Sequence, residues 1–247
     1  MEAERLRDCR DCGQERCSWI FSELSPEKFS EFTSLVKHVA YGSGETVFQE
    51  GAPPFGVYIV CRGKVKVTEK APNGKCQILK LLQAGELLGE EMLFTEGSYT
   101  GFARTLEPST LAFVPREKFL KFIVEHSDVT LKLLEKLSRE LLAFRSKLVE
   151  VAYESSEARL ARLLLAMGER FGRREAGGEG LELELTLSRT ELAELAGIAS
   201  ETAIRTLSRL RQEGLIELEG QRIVLLDPER LRRLARPLPV AVRENLL

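Results

Sequence analysis

The stretch SDVTLKLLEKLSRELLAFRSKLVEVAY, residues 127–153, predicts one long helix, because it contains neither proline nor glycine. Its large apolar side chains recur at alternating steps of three and four residues, which is the spacing of a heptad seam. So narrow a seam favours a parallel pair of helices from two copies of the chain; the alternative is an amphipathic helix packed on its own neighbouring domain. The seam residues are Leu134, Leu137, Leu141, Phe144, Leu148 and Val151.

Length and composition are those of an ordinary globular chain with room for two domains. The 247 residues are 43% hydrophobic and 30% charged, and the net charge is −2. Such a small charge exerts no bulk attraction on nucleic acid, so any DNA binding must come from a local patch. No apolar run approaches the roughly 18–20 residues of a membrane helix, and the N-terminus MEAERLRDC does not resemble a signal peptide. The chain is therefore expected in the cytoplasm, with reduced thiols and no membrane contact.

Before the long helix, residues 44–115 alternate with a period of two and predict a β-rich domain. Short segments such as VYIVCRGKVKVTEK are separated by glycine or asparagine, and Asn73-Gly74 is a typical hairpin turn. Short strands at regular spacing favour a jelly roll or barrel. The interior of such a roll is either packed or holds a small ligand.

After the long helix, the pattern predicts a small helical domain with a wing. A capping box at SRTE, residues 188–191, opens one helix, Gly197 makes a turn, and a second helix covers residues 200–213. Two strands about a tight turn follow in residues 214–226. Helix, turn, helix and wing together are typical of a domain that places its second helix in the major groove of DNA. The apolar face of this second helix is predicted to contain Ile204, Leu207 and Leu210.

Polar side chains on the second helix are candidates for reading base edges. Glu201 and Arg205 are four residues apart and therefore share a helix face, with Ser200 next to them. Arginine can donate two hydrogen bonds to guanine, and glutamate can accept one from cytosine. Other groups would contact phosphates and position the domain without reading sequence. The candidate phosphate contacts are Ser188, Arg189, Thr202, Arg209 and Arg222.

Cysteines in the N-terminal segment predict a metal or redox site. Their thiolates can converge on zinc or on an iron–sulfur cluster, although the set is one ligand short of four. Cys61, Cys76, a carboxylate or a histidine could complete it; the alternative is that the cysteines are incidental. The apolar run WIF at 19–21 is expected to attach this segment to the body of the protein. The three cysteines of the segment are Cys9, Cys12 and Cys17.

Several motifs resemble those of the CRP/FNR family of transcription regulators. GETVFQEG at 44–51, YIVCRGKVKV at 58–67 and GELLGE at 85–90 are similar to its β-roll, and ETAIR at 201–205 is similar to its recognition helix. The resemblance covers nearly the whole chain. It implies an α+β fold: an N-terminal β-roll (a jelly roll) of the cyclic-nucleotide-binding type, a long dimerisation helix and a C-terminal winged helix-turn-helix.

The resemblance also implies a division of the chain and a set of partners. The expected partners are a second copy of the chain, RNA polymerase and double-stranded DNA with a pseudo-palindromic site. Each half-site would have a TGA-like core read by Glu201 and Arg205. The predicted divisions are a cysteine-containing segment at 1–24, a β-roll sensor domain at 25–126, the dimerisation helix at 127–153, a DNA-binding domain at 154–235 and an unassigned tail at 236–247.

The ligand positions of the family are only partly matched. In its cAMP-binding members a glutamate holds the ribose and an Arg-Ser pair holds the cyclic phosphate. Glu90 matches the glutamate, but the pair falls at Tyr99-Thr100, so the arginine is missing. A buried phosphate without a cationic partner is costly, and cAMP is therefore not expected. Glu90 is expected to be a turn or surface carboxylate, and the three residues remain a weak candidate pocket for another small effector.

FNR-type members of the family sense oxygen or redox state through an N-terminal cysteine cluster, which the segment at 9–17 resembles. Several of them hold a [4Fe–4S] cluster with a fourth cysteine near the end of the last roll strand. That place reads STLAFVP at 109–115 and contains no cysteine. The resemblance implies [4Fe–4S] redox sensing with the fourth ligand open. Ile204 stands where FNR-type members carry a serine, so it could touch a thymine methyl group or turn to the core.

Enzyme chemistry has little support in the sequence. The chain has two histidines, His38 and His126, and neither belongs to a catalytic motif. A phosphate-binding loop and a nucleophile elbow are also missing from the sequence. A binding module without DNA contact is disfavoured by the helix-turn-helix. The sequence therefore predicts a regulator and not an enzyme.

Overall fold

The computed structural model describes residues 20–21, 23–174 and 180–235. The chain divides into two compact units, Met1–Leu141 and Leu142–Leu247. The boundary between the units falls inside the long helix, which is continuous across it. None of the described helices is long and apolar enough to cross a membrane.

Some of the sequence predictions fall on residues outside the described ranges. They concern Cys9, Cys12 and Cys17, together with Trp19 and the tail at 236–247. The two residues that follow Trp19 are described, and both are fully buried. The expectation that this apolar run attaches the N-terminal segment to the protein is therefore met at the two positions that can be seen.

The first unit is a β-roll flanked by helices, as the strand pattern predicted. Its elements are α1 (Pro26–Leu35), β1 (Lys37–Tyr41), β2 (Thr46–Phe48), β3 (Gly56–Arg62), β4 (Lys64–Lys70), β5 (Cys76–Gln83), β6 (Leu87–Leu88), a 3-10 turn (Glu90–Met92), β7 (Gly101–Thr105), β8 (Ser109–Pro115), α2 (Arg116–Glu125) and α3 (Ser127–Tyr153). Two antiparallel four-stranded sheets form the roll, in the orders β1-β8-β3-β6 and β2-β7-β4-β5. The predicted Asn73-Gly74 turn joins β4 to β5, and Gly74 adopts a left-handed φ of 83°.

The two sheets enclose an inner cluster of apolar side chains. Alternation along β3 sends Val60 into this cluster and sends Val57 and Ile59 to the opposite face of the sheet. Each fully buried large side chain contributes roughly 1.5–3 kcal/mol. The inner cluster comprises Phe48, Val60, Val65, Val67, Leu82, Leu88, Tyr99, Ala103 and Leu111.

An outer cluster packs helices against the other face of the β1-β8-β3-β6 sheet. It gathers residues from the N-terminal segment, from both short helices and from the first turns of α3, and these four parts of the chain pack on the strands of the sheet. The outer cluster comprises Ile20, Phe21, Leu24, Phe32, Val57, Ile59, Leu87, Leu93, Ala112, Val114, Phe119, Phe122, Ile123, Val129 and Leu133.

The long helix α3 has the bounds that its sequence predicted, Ser127–Tyr153. Val129 and Leu133 are its buried residues, and Leu137 packs partly against the outer cluster. The first turns of α3 therefore pack on the roll of the same chain, as predicted by the alternative of an amphipathic helix packed on its neighbouring domain. The rest of the seam is open: the exposed fractions are 53% for Leu134, 63% for Leu141, 47% for Phe144, 72% for Leu148 and 48% for Val151.

The second unit is a winged helical domain. Its elements after α3 are α4 (Ser156–Phe171), β9 (Gly172–Arg174), β10 (Leu181–Leu183), α5 (Arg189–Ala196), α6 (Ser200–Gln212), β11 (Ile216–Glu219), β12 (Arg222–Leu225) and α7 (Pro228–Leu234). The strands form one antiparallel sheet in the order β11-β12-β10-β9. Ser155 caps α4 by accepting a hydrogen bond from the Ala158 amide at 3.1 Å.

Candidate nucleic-acid interface

Local sequence signals build the helix-turn-helix. The Ser188 hydroxyl accepts a hydrogen bond from the Glu191 amide at 3.1 Å, and the Glu191 carboxylate accepts one from the Ser188 amide at 2.8 Å. This capping box starts α5 where the sequence predicted. Gly197 ends α5 with a left-handed φ of 65°, a conformation in which a side chain is strained. The chain then turns directly into α6.

The helix α6 has one buried face and one open face. Ala203, Thr206, Leu207 and Leu210 are buried against the rest of the domain. Ile204 was expected to share this face, and that prediction is wrong, because its side chain is 50% exposed. Thr206 takes its place in the core, which rotates the buried face away from Ile204.

The predicted base readers lie on the open face of α6. Glu201 and Arg205 are both exposed, and Ser200 is half-buried at the start of the helix. Within the described chain, neither Glu201 nor Arg205 is held by an ion pair or a hydrogen bond from its side chain. The Glu201 carboxylate, a hydrogen-bond acceptor, and the Arg205 guanidinium, which has several donors, therefore lie one helical turn apart on the same exposed face of α6.

The predicted phosphate contacts are mostly engaged inside the domain. Arg209 forms ion pairs with Glu157 and Glu213, and Arg222 pairs with Glu182 at 2.7 Å. These side chains brace α6 to α4 and the wing to β10, and their contact with phosphate remains a prediction.

The other three phosphate candidates lie near the two helix starts. Arg189 donates a hydrogen bond to the Gly220 carbonyl at 2.7 Å, which ties the start of α5 to the turn of the wing. Ser188 is occupied in the capping box, and Thr202 is half-buried in the first turn of α6. Ser208, which the sequence argument passed over, is exposed beside Arg205. The helical period would have identified it, since it lies three residues after Arg205.

Ion pairs and a hydrogen bond of Arg162 hold the end of α3 in place within the second unit. The Arg162 guanidinium pairs with Glu154 and, at 3.1 Å, with Glu150. It also donates to the Ala235 carbonyl at 2.8 Å, after the last turn of α7. The hydrogen bond to Glu154 raises the pKa of Arg162. The last turn of α3 is therefore braced to α4 and to the end of α7 by one side chain.

Glu90 in the roll is buried, which corrects the expectation of a surface carboxylate. Its side chain is 0% exposed and forms ion pairs with Lys136 of α3 and, at 3.6 Å, with Lys80 of β5. Glu140 of α3 joins both lysines, at 2.6 Å from Lys136 and 2.9 Å from Lys80. Burial raises the pKa of Glu90 to about 7, with a further rise from Glu91, against the opposing effect of the two lysines. No local pattern indicates that Glu90 meets Lys136, because the two residues are 46 positions apart in the chain.

The other two residues of the weak candidate pocket direct their hydroxyl groups to partners other than Glu90. Tyr99 is buried in the inner cluster, where its ring stacks on Phe48 at 3.9 Å and its hydroxyl donates to the Gly56 carbonyl at 3.2 Å. Thr100 is exposed and bonds to the Glu69 side chain. The polar groups of Glu90, Tyr99 and Thr100 are therefore each engaged by different residues of the chain.

The described part of the N-terminal segment packs against the start of α3. Ile20 and Phe21 are buried in the outer cluster together with Val129 and Leu133 of that helix. Polar contacts reinforce this packing. Ion pairs join Glu23 to Lys132 at 2.6 Å and Lys28 to Asp128 at 2.9 Å, and a hydrogen bond joins the His126 ring to the Glu31 carboxylate at 3.1 Å.

The two candidate thiols for a fourth ligand differ in their surroundings. Cys61 of β3 is half-buried and packs against the outer cluster. Cys76 is exposed at the start of β5, in the other sheet. In the described ranges, no group of three or more histidine, cysteine or acidic side chains could hold a metal ion. The candidate centre therefore depends on the cysteines of the first 19 residues.

Comparison with known proteins assigns the family. Residues 38–126 match the model of the cyclic nucleotide-binding domain, and residues 158–234 match that of the Crp-like helix-turn-helix domain. A CRP-like cAMP-activated global transcriptional regulator of Mycobacterium tuberculosis is 31% identical over 217 residues, which is 88% of this chain and 96% of the relative. The chain belongs to the CRP/FNR family of DNA-binding transcription regulators.

Other CRP/FNR proteins are similar along most of their length. The nitrogen fixation regulation protein FixK of Bradyrhizobium diazoefficiens is 30% identical over 227 residues, covering 92% of this chain and 93% of the relative. The solved structure of FixK2 from Bradyrhizobium japonicum superposes with a TM-score of 0.71 at 25% identity, covering 82% of this chain and 98% of that one. As the sequence predicted, the chain is a CRP/FNR regulator and not an enzyme.

Proposed function

We propose that this CRP/FNR protein acts as a homodimer that reads a pseudo-palindromic DNA site through α6 and responds to redox state through a metal–sulfur centre at its N-terminus. The observation that carries the DNA-reading part is the open face of α6, where Glu201 and Arg205 stand exposed above a buried apolar face. RNA polymerase is the expected partner at the promoter. The protein is expected to act in the cytoplasm, which contains the DNA.

The chemistry of the open face supports a TGA-like core in each half-site. Arg205 can donate both hydrogen bonds that guanine offers to accept in the major groove, and Glu201 can accept from the cytosine amino group. Neither side chain has to leave an ion pair within the described chain before it binds a base. Both lie in the first half of α6, which is the part of a recognition helix that meets base edges.

The exposed part of the α3 seam supports a homodimer. Leu134, Leu141, Phe144, Leu148 and Val151 leave about half or more of their side chains open to solvent along one helix. A contiguous apolar stripe of this kind is rare on a monomer and typical of an interface. A second copy of α3 would cover the same stripe on both chains, as a two-fold interface requires.

The attachment of the N-terminal segment supports the sensor at Cys9, Cys12 and Cys17. Ile20 lies three residues after Cys17, a stretch that spans at most about 10 Å, and Ile20 is buried in the outer cluster. Cys61 packs against the same cluster, which also holds the first described residues after the cysteine segment. The four thiols are a donor set that suits an iron–sulfur cluster.

Cys61 is the preferred fourth ligand for a structural reason. Family members with a fourth cysteine carry it where this chain has β8, and β3 pairs directly with β8. Cys76 belongs to the other sheet and is exposed. A cluster on Cys9, Cys12, Cys17 and Cys61 would supply a redox-dependent tether between the N-terminal segment and the roll. Because the segment packs on the start of α3, the state of the tether would bias the helix that pairs the two copies.

The alternative, a small effector in the roll, has less support. Glu90, which matches the ribose-binding glutamate of the cAMP-binding members, is held by Lys80 and Lys136 of the chain itself. The position of the phosphate-binding pair is occupied by Tyr99, buried in the inner cluster, and Thr100. We therefore do not propose cAMP as the signal.

Replacing the predicted guanine reader tests the DNA-reading part. In Arg205→Ala, discrimination at one G·C pair of each half-site should fall by roughly 1–3 kcal/mol per contact. The measurement is selection from a randomised-site library followed by competition binding. Arg232→Ala is the matched control, because it removes an exposed arginine of the same unit from α7 and should leave selectivity unchanged. If Arg205→Ala selected the same sites as the wild type, the proposed reading mode would be wrong.

A further inference from the structure

One large apolar side chain of α6 is left in solvent. Ile204 is 50% exposed, while Leu207 and Leu210 are 1% and 0% exposed. The remaining exposed positions of the helix carry charged or polar side chains, such as Glu201, Arg205 and Ser208. On the free protein, Ile204 therefore adds apolar surface to a face that is otherwise built for hydrogen bonding.

The position of Ile204 is set by the buried face. Because Ala203, Thr206 and Leu207 are buried, the helical period turns Ile204 to the flank of the open face. It lies three residues after Glu201 and four before Ser208, so these three side chains form one row. Arg205, four residues after Glu201, lies on the other side of Glu201 from Ile204, and all four side chains belong to the open face. Any surface that covers Glu201 would therefore also cover Ile204.

The surface covering Glu201 would be the major groove. The edges of the four base pairs carry hydrogen-bond donors and acceptors there, and one apolar group, the C5-methyl group of thymine. Isoleucine offers no hydrogen bond, and burying it against polar base edges would leave those edges without partners. A thymine methyl group is therefore the base feature that complements Ile204.

We propose that Ile204 is a specificity-determining residue that reads the methyl group of a thymine beside the base pair contacted by Glu201. This inference rests on the proposed DNA-reading mode and adds one position to the half-site. The hydroxyl-bearing Thr202 and Ser208 can contact phosphates or several bases, whereas Ile204 favours one base by its methyl group alone.

Removal of the methyl group tests the assignment without changing any hydrogen bond. Duplexes of the selected site are made with deoxyuridine in place of each thymine in turn, and binding of the full-length wild-type protein is measured by competition. At one thymine of each half-site, the substitution should weaken binding about fourfold, as expected for one buried methyl group. The same substitution should have no effect at the other thymines.

Variants link this effect to the side chain. Ile204→Ala should bind thymine and deoxyuridine duplexes equally well, and Ile204→Val, which keeps a branched apolar side chain, should retain most of the preference. Ser208→Ala, on the same row, is the matched control and should keep the full methyl dependence. Because Ile204 is half exposed, its truncation leaves the domain core intact, and the unfolding temperature of each variant checks this.

The outcomes distinguish a failure of the Ile204 assignment from a failure of the proposed DNA-reading mode. If no thymine depends on its methyl group, or if the dependence persists in Ile204→Ala, the assignment is overturned while an Arg205-dependent G·C pair would still support the reading mode. A protein that enriches no sequence from the library overturns both. A methyl dependence that disappears in Ile204→Ala and persists in Ser208→Ala supports the assignment.

Discussion

A single carboxylate links the roll to the long helix. Glu90 lies in the 3-10 turn after β6, and its charge is met by Lys136 of α3 and Lys80 of β5. One of its oxygens, Oε2, is buried without a hydrogen-bond partner among the described residues. A carboxylate buried in this way loses its hydration, and the two lysines offset only part of that cost. Its protonation is therefore coupled to folding in the physiological pH range.

The stability of the first unit should depend on pH through Glu90. The pKa of Glu90 is about 7 in the folded chain, against its ordinary value of 4.5. Between these two values the folded chain holds a proton that the unfolded chain has lost, so stability falls as pH rises through this window. The fall attributable to Glu90 should be roughly 3 kcal/mol.

Comparison with Glu90→Gln isolates this contribution. The amide does not titrate, so the free energy of unfolding of the wild type minus that of the variant should decrease from pH 4.5 to pH 7 and stay level above pH 7. Guanidinium unfolding of both proteins at intervals across this range provides the measurement. A difference that is flat with pH would show that Glu90 ionises as freely in the folded chain as in the unfolded chain.

Among the elements, α3 has two roles along its length. Its first turns belong to the outer cluster through Val129 and Leu133, and Leu137 packs partly on it. Beyond that point, from Leu141 to Val151, the apolar side chains of the seam face solvent. Arg162 then braces the last turn of the helix to the second unit. A pairing interaction on the exposed stretch would act on an element that is held at both ends.

A charge in the middle of the seam should prevent dimerisation. In Leu141→Glu, pairing would bury a carboxylate in an apolar seam on each chain, at a cost above the roughly 2–7 kcal/mol of an unpaired neutral polar group. We expect monomers by sedimentation and loss of specific DNA binding. Leu141 is 63% exposed in the single chain, so the substitution should not unfold the roll.

Ser146→Glu is the control for the seam. Ser146 is also exposed on α3, and the helical period puts it on the side opposite the seam. This variant should remain a dimer that binds DNA with wild-type specificity. If Leu141→Glu behaved in the same way, the seam would not be the dimer interface.

At the scale of the whole molecule, the N-terminal segment and the long helix share one core. Ile20 and Phe21 pack with Val129 and Leu133, and two ion pairs and one hydrogen bond join residues 23–31 to residues 126–132. A change in the attachment of the first 19 residues would therefore reach α3 through direct packing. In the proposed sensor, a redox change at the N-terminal cysteines and a thiol of the roll would be transmitted to the helix through this packing.

The identity of that thiol is testable. After anaerobic purification, the wild type should contain iron and acid-labile sulfide and show a broad absorption band near roughly 400 nm, as expected for thiolate-bound iron–sulfur clusters. Cys61→Ala should lose most of the iron and sulfide, because one of the four ligands is missing.

Cys76→Ala is the matched control and should keep the iron and sulfide content of the wild type, because Cys76 lies exposed in the other sheet. Loss of the metal in Cys76→Ala alone would assign the fourth ligand to that residue instead. Wild-type protein with neither iron nor sulfide would end the sensor proposal and leave the DNA-reading part standing.

Sequence by itself determined the features that depend on near neighbours in the chain. The bounds of α3, the capping box at Ser188 and the turn at Gly197 follow from spacing, capping and backbone freedom, which act over a few residues. The exposure of Glu201 and Arg205 followed in the same way, because the alternating helix faces leave both outside the apolar face.

Only the tertiary structure decided the features that depend on distant residues. Lys136 lies 46 positions from Glu90, and no local pattern indicates that the two meet. The apolar row of α6 was predicted to include Ile204, and only the packing of the domain shows that Ala203 and Thr206 are buried instead. Likewise, Cys61 and Cys76 are equivalent thiols in the sequence, and only packing puts Cys61 beside the cluster that receives the N-terminal segment. Contacts of this kind are selected by the summed burial of the whole core, which short-range periodicity does not encode.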